Sequence, residues 1–462
     1  MKHLRFLPAA IFISLCLHSQ AQVENAPAPG VPRDFSLPDV RSFKLDNGMN
    51  VTFVQFGKLP KVEIRLVVRV GNIDEQEGEV WLADFTGKLM KEGTVNRPGH
   101  MIAAEAASMG SNLNVSTGVE VTEFTADVLS DFAPQMIELI SDVVQNPIFP
   151  DSEEARLKND MVRDLNLQRS QPENIAFELF SKIMFPGHPY GRIFPDQQTI
   201  ESFSAAGAKK FYAGNFGAVR SHLYIAGAFK EQDVERAVRE RFSAWTKGND
   251  PLVSIPAPQP EPAIYFVDRP GTPQAVLNIG IPVVDPSNKD YLPLLLTNSM
   301  LGGSFTSRIT MNIREDKGYT YSPYSRIISR YRSALWMQFA EVATDATVPS
   351  VREIFNEINR LSKDSVSNSE LEGIKNYMTG MFTLSNSTRH GIISQLAFVD
   401  LHGLDIDYLR NYVKNIHAIT SDDVKSMMQK YLDPAKMIIV IAGDKGRIGK
   451  EGIAKFGKIA GP

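Results

Sequence analysis

The sequence predicts two homologous α+β domains of about 220 residues, each an antiparallel-rich sheet with helices packed on one face. Three observations predict this. A Pro-rich stretch, 248–262 (GNDPLVSIPAPQPEP), interrupts the chain near its middle, and Pro withdraws backbone donors and fixes φ. Short patterns then recur in the same order on either side of it. Finally, each side opens with alternating apolar residues and continues into helical periodicity, so strands and helices are grouped rather than interleaved.

The elements follow in order. Residues 1–21 have the form of a secretory signal peptide: Lys2 and Arg5, a 12-residue apolar run over 6–17, then small residues Ser19 and Ala21 at a cleavage site. The run is too short to span a bilayer. The whole chain carries a net charge of −4 and one cysteine, Cys16. Without the leader no cysteine remains, so disulfides, thiol catalysis and cysteine metal ligands are excluded, and an exported chain of this kind fits the bacterial periplasm. Residues 22–38 read as an extended lead-in.

The first domain is expected over 39–247. Pro60-Lys61-Val62 leads into the alternating run EIRLVVRV at 63–70, and an amphipathic helix is expected over 133–144. Lys158, Asn159 and Met161 lie in a polar helical stretch, and LYIAG at 223–227 reads as a late strand. The second domain, 263–462, repeats this pattern. Pro273-Gln274-Ala275 leads into a strand at 276–281, a helix is expected over 351–361, Lys375, Asn376 and Met378 lie in a polar helical stretch, and IVIAG closes at 439–443.

Several function classes are excluded. No block of five Lys/Arg suggests nucleic-acid binding, and no later apolar run reaches a membrane span. There is no G-x-S-x-G elbow, P-loop or dinucleotide fingerprint. Among the eight histidines no pair after the leader has i,i+4 spacing. One constellation stands out. Arg314 falls near the end of a helix that Gly318 terminates, and Tyr321 is expected on the following strand, which would bring residues seven apart to one surface. Taken alone, such residues are better read as capping helix carbonyls (Arg314) and packing in a sheet (Tyr321).

GNIDE at 71–75, WLADFTGKLMKEGT at 81–94, His188-Pro189-Tyr190-Gly191, and LGGSFTSRITMNIREDKGYTYSPYSR at 301–326 resemble the pitrilysin/insulinase family of zinc peptidases. The resemblance is to the two-domain branch that includes the mitochondrial processing peptidase and the bc1 core proteins. It covers nearly all the chain after the leader. In that family His-x-x-Glu-His on a helix puts two imidazoles on one face for zinc, with the Glu as general base, and a later helix adds an acidic ligand. The resemblance places Asp84, Gly87 and Lys88 at the His, Glu and His positions, and Asp164 at the later ligand. Gly87 has no base to offer and Lys88 no lone pair, so no zinc is expected in this chain. Lys88 and Asp164 can instead form an ion pair. A different metal on Asp84 and Asp164 is the alternative, opposed by the small ligand count and the Lys88 charge.

The resemblance further implies that Arg314 and Tyr321 bind a substrate carbonyl and stabilise an oxyanion in trans. It implies a heterodimer with a homologous His-x-x-Glu-His subunit, which would hold the zinc and cleave unfolded peptides in a shared chamber. Gly302, Gly303 and Asn114 are weaker substrate-binding candidates, and His188-Pro189-Tyr190-Gly191 is expected to be a packed loop. The alternative is a structural or peptide-holding scaffold with no catalytic contribution. A free-standing hydrolase with new chemistry lacks a nucleophile motif and a base.

Overall fold

The computed structural model describes residues 36–460, so the expected signal peptide and most of the lead-in lie outside the described residues. The first half folds β1 (Val40–Lys44), β2 (Asn50–Gln55), β3 (Lys61–Val68), β4 (Asn114–Thr117), β5 (Thr122–Leu129) and β6 (Ser221–Gly227). These form one sheet in the order β1-β2-β6-β3-β5-β4, antiparallel except for the β2–β6 pair. The second half contributes β7 (Ile264–Asp268), β8 (Gln274–Val283), β9 (Tyr324–Arg330), β10 (Ser333–Ala343) and β11 (Ile438–Gly443), in the order β7-β11-β8-β10-β9. Apart from the extra edge strand β1, the two orders are the same, down to one parallel pair in each. The recurring sequence patterns are therefore recurring strands, and the fold is two-domain α+β.

Helices form where the periodicity places them. Ala133–Gln145 buries Met136, Ile137, Ile140 and Val144 on one side, and Thr347–Lys363 buries Val351, Ile354, Ile358 and Leu361. Ala133–Gln145 packs on β3 and β5, where Val62, Ile64, Leu66, Phe124 and Ala126 form the first core. Burying each such Val, Leu, Ile, Phe or Met side chain contributes roughly 1.5–3 kcal/mol, so together they outweigh any single polar contact described below.

Helices of its own half thus cover one face of each sheet. The other face takes a helix from the opposite half, an exchange that periodicity alone does not announce. Pro172–Met184 lies on β8 and β11, while Arg389–His402 lies on β6 and β3. β3 is consequently buried on both faces, which explains why Glu63 and Arg65 are interior; they meet at 2.6 Å. The segment 246–263 has no regular structure, and its start is pinned to the first half by Arg220, which donates to the carbonyls of Asn249 and Asp250. No helix among the described residues is long and apolar enough to cross a membrane.

Candidate functional site

The helix Leu82–Met90 presents Asp84, Gly87 and Lys88 toward the edge strand β4 and the helix Glu154–Ser170. Asp84 is held from one side: Asn72 Nδ2 donates to its Oδ2 at 2.8 Å and to Glu75 Oε1 at 3.0 Å. Burial pushes Asp84 up to about 6, opposed by the Asn72 hydrogen bond and the Lys88 charge. Burial likewise pushes Glu75 up to about 8, opposed by the Ala83 N–H that donates to it. The roles of Asn72 and Glu75 escaped the sequence reading, because an amide bridging two carboxyls has no spacing signature.

Gly87 is buried, and a Cβ there would stand 2.8 Å from Thr117 Oγ1. The hydroxyl of β4 thus fills the space that a longer side chain at 87 would need. Lys88 Nζ lies 4.0 Å from Asp164 Oδ2, both half exposed. A zinc site needs three protein ligands of suitable lone-pair character and a base. Here one carboxyl is tied to Asn72, the other faces an ammonium, and position 87 has no side chain, with Thr117 Oγ1 against it. These residues do not fit zinc. Among the described residues no group of three or more His, Asp or Glu could hold a metal ion.

The second constellation comes together differently from the expectation. Arg314 lies in a wide π-helical turn, Met311–Asp316, and Gly318 ends it in left-handed backbone (φ 64°), with its N–H donating to Arg314 O at 3.1 Å. Tyr321 is not on a strand: β9 starts at Tyr324, and Tyr321 sits in the preceding loop, 80% exposed. The early stop of the helix still brings the pair together, with the Arg314 guanidinium 5.0 Å above the Tyr321 ring. Phe305, 63% exposed, stacks under the same guanidinium at 4.3 Å. That third member was missed; an aromatic nine residues before an Arg carries no local pattern.

Gly302 and Gly303 are packed inside the fold. A Cβ on Gly302 would meet Ser325 Oγ of β9 at 2.6 Å, and one on Gly303 would meet Asn298 Nδ2, at the end of the preceding helix, at 2.6 Å. Asn114 is exposed at the start of the edge strand β4 and accepts from Asn112 at 2.9 Å. In the loop at 188–191, Tyr190 is buried with its hydroxyl on Glu120 at 2.6 Å, and His188 Nε2 meets Ser254 Oγ at 3.0 Å.

Comparison with known proteins places these features in context. Residues 56–196 match the insulinase family (peptidase family M16), and residues 202–378 match the peptidase M16 inactive domain. An uncharacterized zinc protease of Rickettsia bellii is 28% identical over 336 residues, covering 71% of this chain and 79% of that protein. The uncharacterized zinc protease YmxG of Bacillus subtilis is 22% identical over 357 residues, covering 77% of this chain and 87% of its own. Two solved structures share the fold: a peptidase M16 inactive domain from Pseudomonas fluorescens and a protease from Helicobacter pylori. The first has a TM-score of 0.81 at 24% identity, covering 88% of this chain and 98% of that one. The second has a TM-score of 0.81 at 17% identity, covering 88% and 100%.

Proposed function

The chain belongs to the insulinase (M16) peptidase family, and from that premise we propose that it is the non-catalytic subunit of a heterodimeric zinc peptidase. On this reading it supplies Arg314 and Tyr321 in trans to a homologous His-x-x-Glu-His partner that holds the zinc and cleaves unfolded peptides. The exported leader suggested by residues 1–21 would put the pair in the periplasm.

One observation carries the reading: Arg314 and Tyr321 touch each other on an exposed surface. A phenol that is 80% exposed contributes little to the stability of its own chain, so packing does not explain it. A cation held against two rings, one of them a phenol, with only its Nε engaged by half-exposed Glu315 at 3.1 Å, is instead suited to a developing oxyanion presented from outside. The donor set around Asp84 argues in the same direction, since residues that do not fit zinc leave activation of the attacking water to a partner. The outer edge of β4, where Asn114 stands, leaves backbone donors and acceptors for an extended peptide and serves either a catalytic or a scaffold role.

The test is kinetic. Co-expressed with a homologous His-x-x-Glu-His subunit, this chain should form a 1:1 complex that cleaves flexible peptides. Tyr321→Phe keeps the ring over Arg314 and removes one donor, so kcat should fall by about 10²–10³ with assembly unchanged. A wild-type kcat in that variant, with the complex intact, would leave the scaffold reading in front.

A further inference from the structure

The two exchanged helices occupy equivalent places. Pro172 and Arg389 open them, and the strands beneath keep one register: Val67 pairs with His222 and Glu123 in the first sheet, as Gly280 pairs with Ile438 and Met337 in the second. Counting from their first residues, Phe177 and Phe180 of one helix correspond to Ser394 and Ala397 of the other. Phe180 is fully buried and sits so close to the second sheet that a Cβ on Gly280 would lie 2.5 Å from its Cζ. Where Ser394 and Ala397 replace the two rings, the first sheet and its helix leave an open cleft of about 810 Å³. That volume falls in the roughly 300–1,000 Å³ range of small-molecule sites.

The chemistry of its walls selects a ligand. Phe43, Val121, Phe398 and Leu401 present half-buried apolar surface to the cavity. Its two carboxylates are already engaged. Asp400 accepts from the Tyr224 hydroxyl and lies 3.1 Å from His222 Nδ1, and Glu123 lies 3.8 Å from Arg65. Arg220 is likewise committed, to Asp74 at 2.9 Å. Two cations remain. Lys44 is exposed at the mouth, and half-buried Arg69 has its guanidinium 5.0 Å over the Tyr331 ring; among the described residues neither has a carboxylate within ion-pairing distance. A planar guanidinium held by an aromatic face is preorganised for bidentate contact with a carboxylate.

We propose that this cavity binds a carboxylate carried on an apolar chain, with Arg69 as its anchor and Phe398 and Phe43 against its body. The site is separate from Arg314 and Tyr321, and it stands or falls independently of the trans-acting role. Two sources share this chemistry, a free fatty acid and the C-terminal residues of an apolar peptide.

Calorimetric titration of the full chain with four probes tests it: decanoate, decanol, acetyl-Leu-Leu-Phe acid and the same tripeptide as its amide. Saturable 1:1 binding of at least one acid is expected, about tenfold or more tighter than its neutral analogue. The tighter of the two acids identifies the source. Arg69→Gln should weaken the acid about tenfold. Ala397→Phe, which copies the residue found on the equivalent helix, should abolish binding, with the melting temperature recorded to verify folding; Ser394→Phe is the second filling variant if Ala397→Phe does not fold. Absence of saturable binding, equal affinity for acid and neutral analogue, or undiminished binding in either folded filling variant overturns the site. Wild-type acid affinity in Arg69→Gln overturns its assignment as anchor.

Discussion

The helix Pro172–Met184 on the second sheet and the helix Arg389–His402 on the first are one architectural solution carried out with two chemistries. Under the first helix, Phe180, Met184 and Phe185 meet Val276, Met337, Ile438 and Val440 in a closed apolar cluster. Under the second, the equivalent strand positions hold Glu63, Glu123, His222 and Tyr224, and the helix is tied down by named polar contacts. Arg389 meets Asp127 at 3.1 Å, Ser394 accepts from Arg65 at 3.1 Å, and Asp400 lies 3.1 Å from His222. Apolar burial is non-directional and roughly additive in area, whereas each polar contact largely exchanges one hydrogen bond with water for another. Most of the adhesion between the halves is therefore expected at the Pro172–Met184 seam, while the Arg389–His402 seam carries the polar contacts and the cleft.

Three substitutions would break or sharpen that contrast. The largest effect is expected from Phe180→Ala, which opens a void in a fully buried cluster and should cost about 3–5 kcal/mol in denaturant unfolding. A loss below about 1 kcal/mol would mean that the apolar seam is not what holds the halves together. Next, Tyr224→Phe removes the hydroxyl that donates to Asp400 but keeps the ring stacked on His222 at 4.0 Å. Burial and the Asp400 charge hold that phenol well above its ordinary value, so it stays a neutral donor across the working range. Because half-exposed Asp400 keeps His222 and solvent, the expected cost is only about 1 kcal/mol. A loss as large as that of Phe180→Ala would make the polar seam equally strong. The smallest effect belongs to Arg389→Gln. Its partner Asp127 is well exposed, so the change should be about 0.5 kcal/mol or less and should vanish at 1 M salt. A salt-independent loss would show that Arg389 acts through packing rather than charge.

The same duplication explains how much could be read in advance. The apolar runs at 63–70 and 276–281 and the helical periodicity at 133–144 and 351–361 are local patterns, so strands, helices and the repeat were visible in the sequence. Gly318 announced the turn after Arg314, because left-handed backbone has a residue signature. Tyr321 was misplaced onto a strand because nothing local distinguishes a residue three before β9 from one within it. Nothing local in the run 63–70 shows that Glu63 and Arg65 are interior; they are so because a helix more than 300 residues away covers them.

What the sequence alone determined is the chemistry that a side chain either has or lacks. Gly87 offers no base and a protonated Lys88 no lone pair in any fold, so the expectation that this chain holds no zinc rests on residue identity. Only the tertiary structure decided what occupies that space instead: Thr117 stands against Gly87, Asn72 bridges Glu75 and Asp84, and Lys88 faces Asp164. It likewise decided that Phe305 joins Arg314 and Tyr321, and that Ser394 and Ala397 open a cavity where Phe177 and Phe180 close one. The physical reason is the same throughout. Composition and periodicity record how a residue relates to its neighbours along the chain, whereas packing volume and the engagement of a charge depend on residues that only folding brings within a few ångströms.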